Sequence, residues 1–278
     1  MSKSRTRNQP NSPTAKAGPK SGKRPPQDRS KPQGERPRQP RAHVTSGQWL
    51  WGQHAVEAAL ANPRRTLNHL VATRTAAARL GKTAASAQDI TPHELANLLP
   101  ANAVHQGIAG LFEPLPDASL EDLIGRNTSR IVILDQVSDP HNLGAIFRSA
   151  AAFGFGGIVL QTKNAPPITG VVAKSAAGAI ETVPECRVVN IARALDQLGE
   201  AGYHTVGLAG GGRATIGQAV TGAAKVAIVL GAEGPGLRPA VAKACAELAR
   251  IPIDAAMESL NVSNAAAIAF YEAYRSDT

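Results

Sequence analysis

Between residues 129 and 278, short apolar runs alternate with stretches of helical periodicity, and this alternation constrains the fold more than any other feature of the chain. The runs are Arg130–Leu134, Gly157–Leu160, Tyr203–Leu208, Val226–Leu230 and Arg250–Ile253. Helical patterns lie between or after them, at Leu143–Phe153, Ile168–Ala177, Ile191–Leu198, Pro239–Glu247 and Val262–Tyr274. Strands that are apolar along their whole length need cover on both faces, so the pattern predicts an α/β fold with a parallel sheet wrapped by helices. Ligands bind such sheets beyond the carboxyl ends of the strands. Three of the expected strand ends here carry unusual loops.

A smaller α/β unit is expected at 47–113. Gln53–Leu60 reads as a helix and Leu67–Ala72 as a short buried strand. Thr91 can cap a helix with Pro92 in its first turn, and His105-Gln106-Gly107-Ile108 reads as a turn into a last strand. Residues 114–128 contain Pro114 and Pro116 and read as a linker to the unit at 129–278. Residues 1–46 hold almost no large apolar side chains, which predicts a disordered tail. That tail carries 12 Lys+Arg against 2 Asp+Glu of the chain's 30 and 21, leaving 18 and 19 for the rest. A basic tail is an electrostatic hook for a polyanion such as nucleic acid; a purely solubilising role is the plainer alternative.

No run approaches the ~18 apolar residues of a membrane helix, and the basic start lacks an apolar secretory segment. The two cysteines, Cys186 and Cys245, belong to no CxxC or Cys/His cluster. Reduced thiols, no metal site, no membrane association and a cytoplasmic protein are therefore expected.

The first loop, Asp135 to Ser149, leads from a strand into a helix expected to start near Asn142, with Arg148 six residues further on. An amide and a guanidinium so placed suit a ribose-phosphate target; a helix cap and a surface ion pair would explain them equally. The second loop, Gly231-Ala232-Glu233-Gly234-Pro235-Gly236, allows close backbone approach to a ligand. It lacks the Gly-Lys-Ser/Thr of a phosphate-binding loop and the dinucleotide-binding spacing. The Glu233 carboxylate would repel a phosphate and tolerate a sulfonium or a hydroxyl-rich group. The third loop brings Ser259 and Asn261 to the start of the last helix, where either can be a simple N-cap. The glycine-rich end at Gly207-Leu208-Ala209-Gly210 is weaker, and reads equally as a plain turn.

Jointly the loops are specific. Asp139-Pro140-His141-Asn142-Leu143-Gly144-Ala145 with Arg148-Ser149 resembles the first motif of the SpoU/TrmH family of RNA ribose methyltransferases. Gly231–Gly236 resembles the second and Ser259-Leu260-Asn261-Val262-Ser263 the third, in matching order. Phe147 stands where leucine is more usual, a change that removes no chemical group. Trp51-Gly52 and His105-Gln106-Gly107-Ile108 resemble the small RNA substrate-binding domain of the branch acting on a guanosine of large-subunit (23S) ribosomal RNA. The resemblance spans about 47–278.

That resemblance implies a SPOUT-type sheet with a C-terminal trefoil knot, which general topology rules would have excluded. It also implies a homodimer with the active site close to the interface, RNA as partner and S-adenosylmethionine as cofactor. Gly231, Ile251 and Leu260 should contact the cofactor, with Gly207, Leu208 and Ala209 nearby. Arg148 is expected to hold a phosphate and stabilise oxyanion charge, because an arginine stays protonated and makes a poor base. Asn142 would orient the ribose or organise its loop, Glu233 would fix Arg148 or the target nucleoside, and Ser259 and Asn261 would position the hydroxyl and the cofactor loop. Transfer RNA as substrate, or a non-catalytic RNA-binding or ribosome-assembly role, are the alternatives.

Overall fold

The computed structural model describes residues 47–276; the basic tail expected at 1–46 lies outside them. The chain begins with β1 (Gln48–Trp51), α1 (Gln53–Ala61), β2 (Leu67–Ala72), α2 (Arg74–Leu80), β3 (Gln88–Asp89), α3 (Pro92–Leu98) and β4 (Ile108–Phe112). These build a four-stranded sheet of order β1-β4-β2-β3, antiparallel except between β2 and β3. Thr91 does cap α3, in a reciprocal box with Glu94 and with Pro92 in the first turn.

The rest of the chain follows as α4 (Leu120–Gly125), β5 (Arg130–Asp135), α5 (Pro140–Ala152), β6 (Ile158–Gln161), α6 (Gly170–Ala176), β7 (Glu185–Val188), α7 (Ile191–Glu200), β8 (His204–Leu208), β9 (Ala214–Thr215), α8 (Ile216–Val220), β10 (Val226–Gly231), α9 (Pro239–Ala244), β11 (Glu247–Arg250) and α10 (Val262–Arg275). Its strands form a seven-stranded sheet of order β7-β6-β5-β10-β8-β11-β9, with every pairing parallel. The last strand, β11, lies between β8 and β9, both of which precede it in the chain.

Side chains alternate across a strand, and here the alternation sorts the core into two layers. Ile131, Ile133, Val159, Ala227 and Val229 pack with Leu195 and Leu198 of α7 and Val241 of α9. Val132, Leu134, Leu160, Ile228 and Leu230 pack with Leu143, Ile146 and Phe147 of α5, Val172 of α6 and Ala266 and Phe270 of α10. This is the two-faced cover that the apolar strands require.

Two expectations need correction. The strand expected at Arg250–Ile253 lies three residues earlier, at Glu247–Arg250. Pro252 lacks the N–H a ladder needs, and Ile253 is 39% exposed rather than buried. The stretch 114–128 is not all linker, because Ser119 and Asp122 form a reciprocal cap that starts α4, whose Leu123 is fully buried.

The small sheet is docked on the large one. The Arg65 guanidinium meets Glu181 through Nε and Nη2 at 3.0–3.1 Å, and Asn62 Nδ2 donates to the same carboxylate at 2.7 Å. Both charged side chains are almost wholly buried. Gln48 Nε2 donates to the Ile168 carbonyl, and Val171 of α6 packs against the cluster containing Trp51.

Candidate active site

The three loops meet at the carboxyl ends of β5, β10 and β11. Asp139, not Asn142, caps α5 by accepting from His141 N at 2.9 Å. Asn142 is thereby free to turn inward from the first turn of α5, where it is buried. Its Nδ2 donates to Glu233 Oε1 at 3.0 Å. Asn261 Nδ2 donates both to Asn142 Oδ1 (3.0 Å) and to Glu233 Oε1 (2.7 Å). The same carboxylate oxygen accepts from Val262 N at 3.3 Å. Asn261 is also the cap of α10, its Oδ1 accepting from Ser263 N and Asn264 N. One residue from each loop therefore closes a triangle around a single carboxylate oxygen. Among the described residues no hydrogen bond or ion pair joins Glu233 to Arg148.

The first and second loops are joined by a pair the sequence reading did not single out. Asp135, at the end of β5, is fully buried. It accepts from Arg238 N (3.0 Å) and Arg238 Nε (2.8 Å) just beyond the glycine-rich loop. Nothing local marks this pair, because 103 positions separate its members.

Beside the triangle lies a cleft of about 250 Å³. Of the residues expected around a cofactor, Leu208, Ala209, Gly231, Ile251 and Leu260 line it, as do Glu233 and Ser259. Gly210 of the glycine-rich end after β8 lines it as well, with Ile253 and Glu258, to which the sequence assigned no role at a site. Gly207 is not in the wall; a Cβ there would come within 2.9 Å of Leu237, Leu248 and Cys245 side chains, so it permits packing beneath the cleft. Gly231 permits the loop itself. A Cβ on it would lie 2.2 Å from the Gly236 carbonyl carbon, so only glycine lets residues 231–236 fold back this tightly.

Arg148 stands apart. Six residues along a helix is about 1.7 turns, so Arg148 emerges on a different side of α5 from the buried Asn142. It is exposed and makes no hydrogen bond or ion pair among the described residues. Ile268 and Tyr271 of the neighbouring α10 are exposed too, at 39% and 49%.

Other chemistries find little support. Burial pushes the thiols of Cys186 and Cys245 up to about 11, so both stay protonated at neutral pH and neither is an activated nucleophile. Among the described residues no group of three or more His, Cys, Asp or Glu side chains could hold a metal, and no helix is long and apolar enough to cross a membrane.

Residues 129–271 match the model of the SpoU rRNA Methylase family, and residues 49–118 match that of an RNA 2′-O ribose methyltransferase substrate-binding domain. Over 239 residues the chain is 39% identical to an uncharacterized tRNA/rRNA methyltransferase of Synechocystis, covering 81% of this chain but 62% of that relative. It is 43% identical over 178 residues to the 23S rRNA (guanosine-2′-O-)-methyltransferase RlmB of Vibrio vulnificus, covering 62% of this chain and 71% of that protein. Among solved structures, an AdoMet-bound rRNA methyltransferase from Sinorhizobium meliloti superposes with a TM-score of 0.69 at 25% identity, over 82% of this chain and 87% of that one. The SpoU methyltransferase AviRb from Streptomyces viridochromogenes shares the fold, with a TM-score of 0.70 at 23% identity over 82% and 89%.

Proposed function

We infer the function from one premise: this chain belongs to the SpoU rRNA Methylase family. It is an S-adenosylmethionine-dependent RNA ribose 2′-O-methyltransferase, and a guanosine of 23S ribosomal RNA is its target. The observation that carries this reading is the Asn142–Glu233–Asn261 triangle beside a glycine-lined cleft at the strand ends. The 23S substrate rests on the Vibrio relative and on the matching substrate-binding domain.

The cleft suits S-adenosylmethionine by its lining. Leu208, Ile251 and Leu260 offer apolar surface to a purine, and Gly231 and Ala209 bring backbone close. Glu233 and Glu258 are compatible with a sulfonium, and no Lys or Arg lines the wall. When bound, the cofactor supplies an electrophilic methyl group. The chain's own residues hold and orient the attacking 2′-hydroxyl, and alignment of this kind is worth roughly 7–11 kcal/mol of the barrier. Asn142 and Asn261 present fixed amides to the ribose, with Glu233 locking both. Ser259 offers a hydroxyl at the cleft edge.

Arg148 stabilises the developing oxyanion and an adjacent phosphate, and it acts across a homodimer interface. Its exposure, and that of Ile268 and Tyr271 on the neighbouring α10, supports this placement. The site of β11 between earlier strands, together with the solved neighbours, supports a trefoil knot around the cleft. Residues 47–113 grip the RNA, 129–278 carry the chemistry, and the basic residues of 1–46 add salt-sensitive affinity in a cytoplasmic enzyme.

The test is methyl transfer from labelled cofactor to ribosomal RNA, alongside calorimetry of cofactor binding. Arg148→Ala should bind cofactor normally and transfer no methyl group. Mixing it with Glu233→Ala should restore turnover, because one site of each hybrid dimer is then complete. Near-normal turnover by Arg148→Ala alone would remove it from the mechanism.

A further inference from the structure

The seam between the two sheets holds a cation without a countercharge. Lys174 of α6 donates from Nζ to Gln106 Oε1 at 2.7 Å. That oxygen also accepts from Gln53 N, the first amide of α1, at 3.1 Å. Gln106 is the middle of the His105-Gln106-Gly107 turn, and Arg79 Nη2 donates to its carbonyl at 3.2 Å. No carboxylate pairs with Lys174 among the described residues, and its ammonium is held below its ordinary pKa by burial alone. The nearest acid along α1, Glu57, is engaged by Gln53 Nε2. An ammonium has three donors. One is used here, and a neutral amide repays little of the cost of partial burial.

The seam also abuts the candidate active site. Gly144 lets α6 lie directly against the first half of α5; a Cβ there would sit 2.4 Å from Ser175 Cβ and 2.6 Å from the Val172 carbonyl oxygen. Ser175 Oγ lies 3.3 Å from His141 Nδ1, and His141 precedes Asn142. Lys174 is thus the chain neighbour of Ser175, which meets His141, itself the chain neighbour of Asn142.

We propose that Lys174, presented by Gln106, is a phosphate-binding residue for the RNA strand as it passes from the active site to the small domain. This rests on the RNA reading above and deepens it by assigning a backbone contact at the domain seam. A phosphodiester supplies the missing countercharge, and the two unused donors of Nζ are available to it. The plainer role, a hydrogen bond that merely docks the small domain, makes an opposite forecast for one substitution. Gln106→Glu places a carboxylate against Lys174 and against the α1 N-terminus, and so strengthens docking. On the phosphate-binding role, the same carboxylate competes with RNA.

The experiment measures binding of an in vitro transcript of bacterial 23S rRNA to the full chain across a salt series, with thermal unfolding in parallel. Gln106→Glu should unfold at or above the wild-type temperature yet bind RNA about tenfold more weakly, the order for losing one charge-assisted contact. The slope of log K against log salt should become shallower by about 0.7–0.9, the value for one phosphate contact. Lys174→Met should show the same shallower slope with unchanged cofactor affinity, and Lys174→Arg should keep the wild-type slope. Wild-type affinity and slope in both Gln106→Glu and Lys174→Met would overturn the proposal. A wild-type chain that binds RNA with these slopes but transfers no methyl group would instead overturn the functional reading.

Discussion

At the scale of single residues, the site depends on one carboxylate oxygen. Glu233 Oε1 accepts from Asn142 Nδ2, Asn261 Nδ2 and Val262 N, and so ties the three loops together. Glu233→Ala leaves the buried Asn142 amide without its acceptor, at a cost of about 1–3 kcal/mol. For a domain of this size that lowers the melting temperature by about 2–4 °C per kcal/mol, and turnover should be lost with it. Thermal unfolding and a transfer assay check both; an unchanged melting temperature would mean that the triangle contributes nothing to stability. Much of this was legible in the sequence, and a helix cap and a place in the triangle are compatible in one side chain. Asn261 is the helix cap that its position suggests, and its side-chain amide still reaches the triangle. The buried Asp135–Arg238 pair was not legible, because only the closed sheet brings its members together. Nor was the outward direction of Arg148, since six-residue spacing says nothing about which face of α5 is covered.

At the scale of elements, periodicity located the central strands well and the edges poorly. β5 and β10 are apolar throughout because helices cover both their faces. β7 and β9 went unread because they lie at the sheet's edges, where burial is partial and the pattern fades. β11 was misplaced toward Ile251 and Ile253, apolar residues beyond the strand's end that line the cleft, Ile251 also packing against the core. The closeness of α5 and α6 offers a sharp test. Alanine at position 144 gains about 1 kcal/mol of helix propensity. Its Cβ would nevertheless press on the Val172 carbonyl at 2.6 Å, an atom of backbone that cannot rotate away. Overpacking costs about 1–3 kcal/mol, so Gly144→Ala should be net destabilising. By displacing the first turns of α5 it should also reduce turnover. A more stable, fully active variant would show that the two helices can separate freely.

At the scale of the whole molecule, the two sheets are fastened by a buried ion pair. Arg65→Met strands the Glu181 carboxylate, and removing one member of such a pair costs about 3–5 kcal/mol. Arg65→Met with Glu181→Met should recover most of that loss, and a denaturation double-mutant cycle measures the coupling. The seam so fixed sets the distance between the small sheet and the candidate active site, and on the proposed function that distance would select one nucleotide in a large RNA. That selection makes the central claim directly measurable. The wild-type chain is incubated with labelled S-adenosylmethionine and total bacterial RNA, and the labelled nucleotide is mapped and hydrolysed. The expected product is a single guanosine of 23S ribosomal RNA methylated on its ribose 2′-oxygen, read as an alkali-resistant linkage. Label on a base, label confined to transfer RNA, or no transfer from a cofactor-binding chain would contradict it.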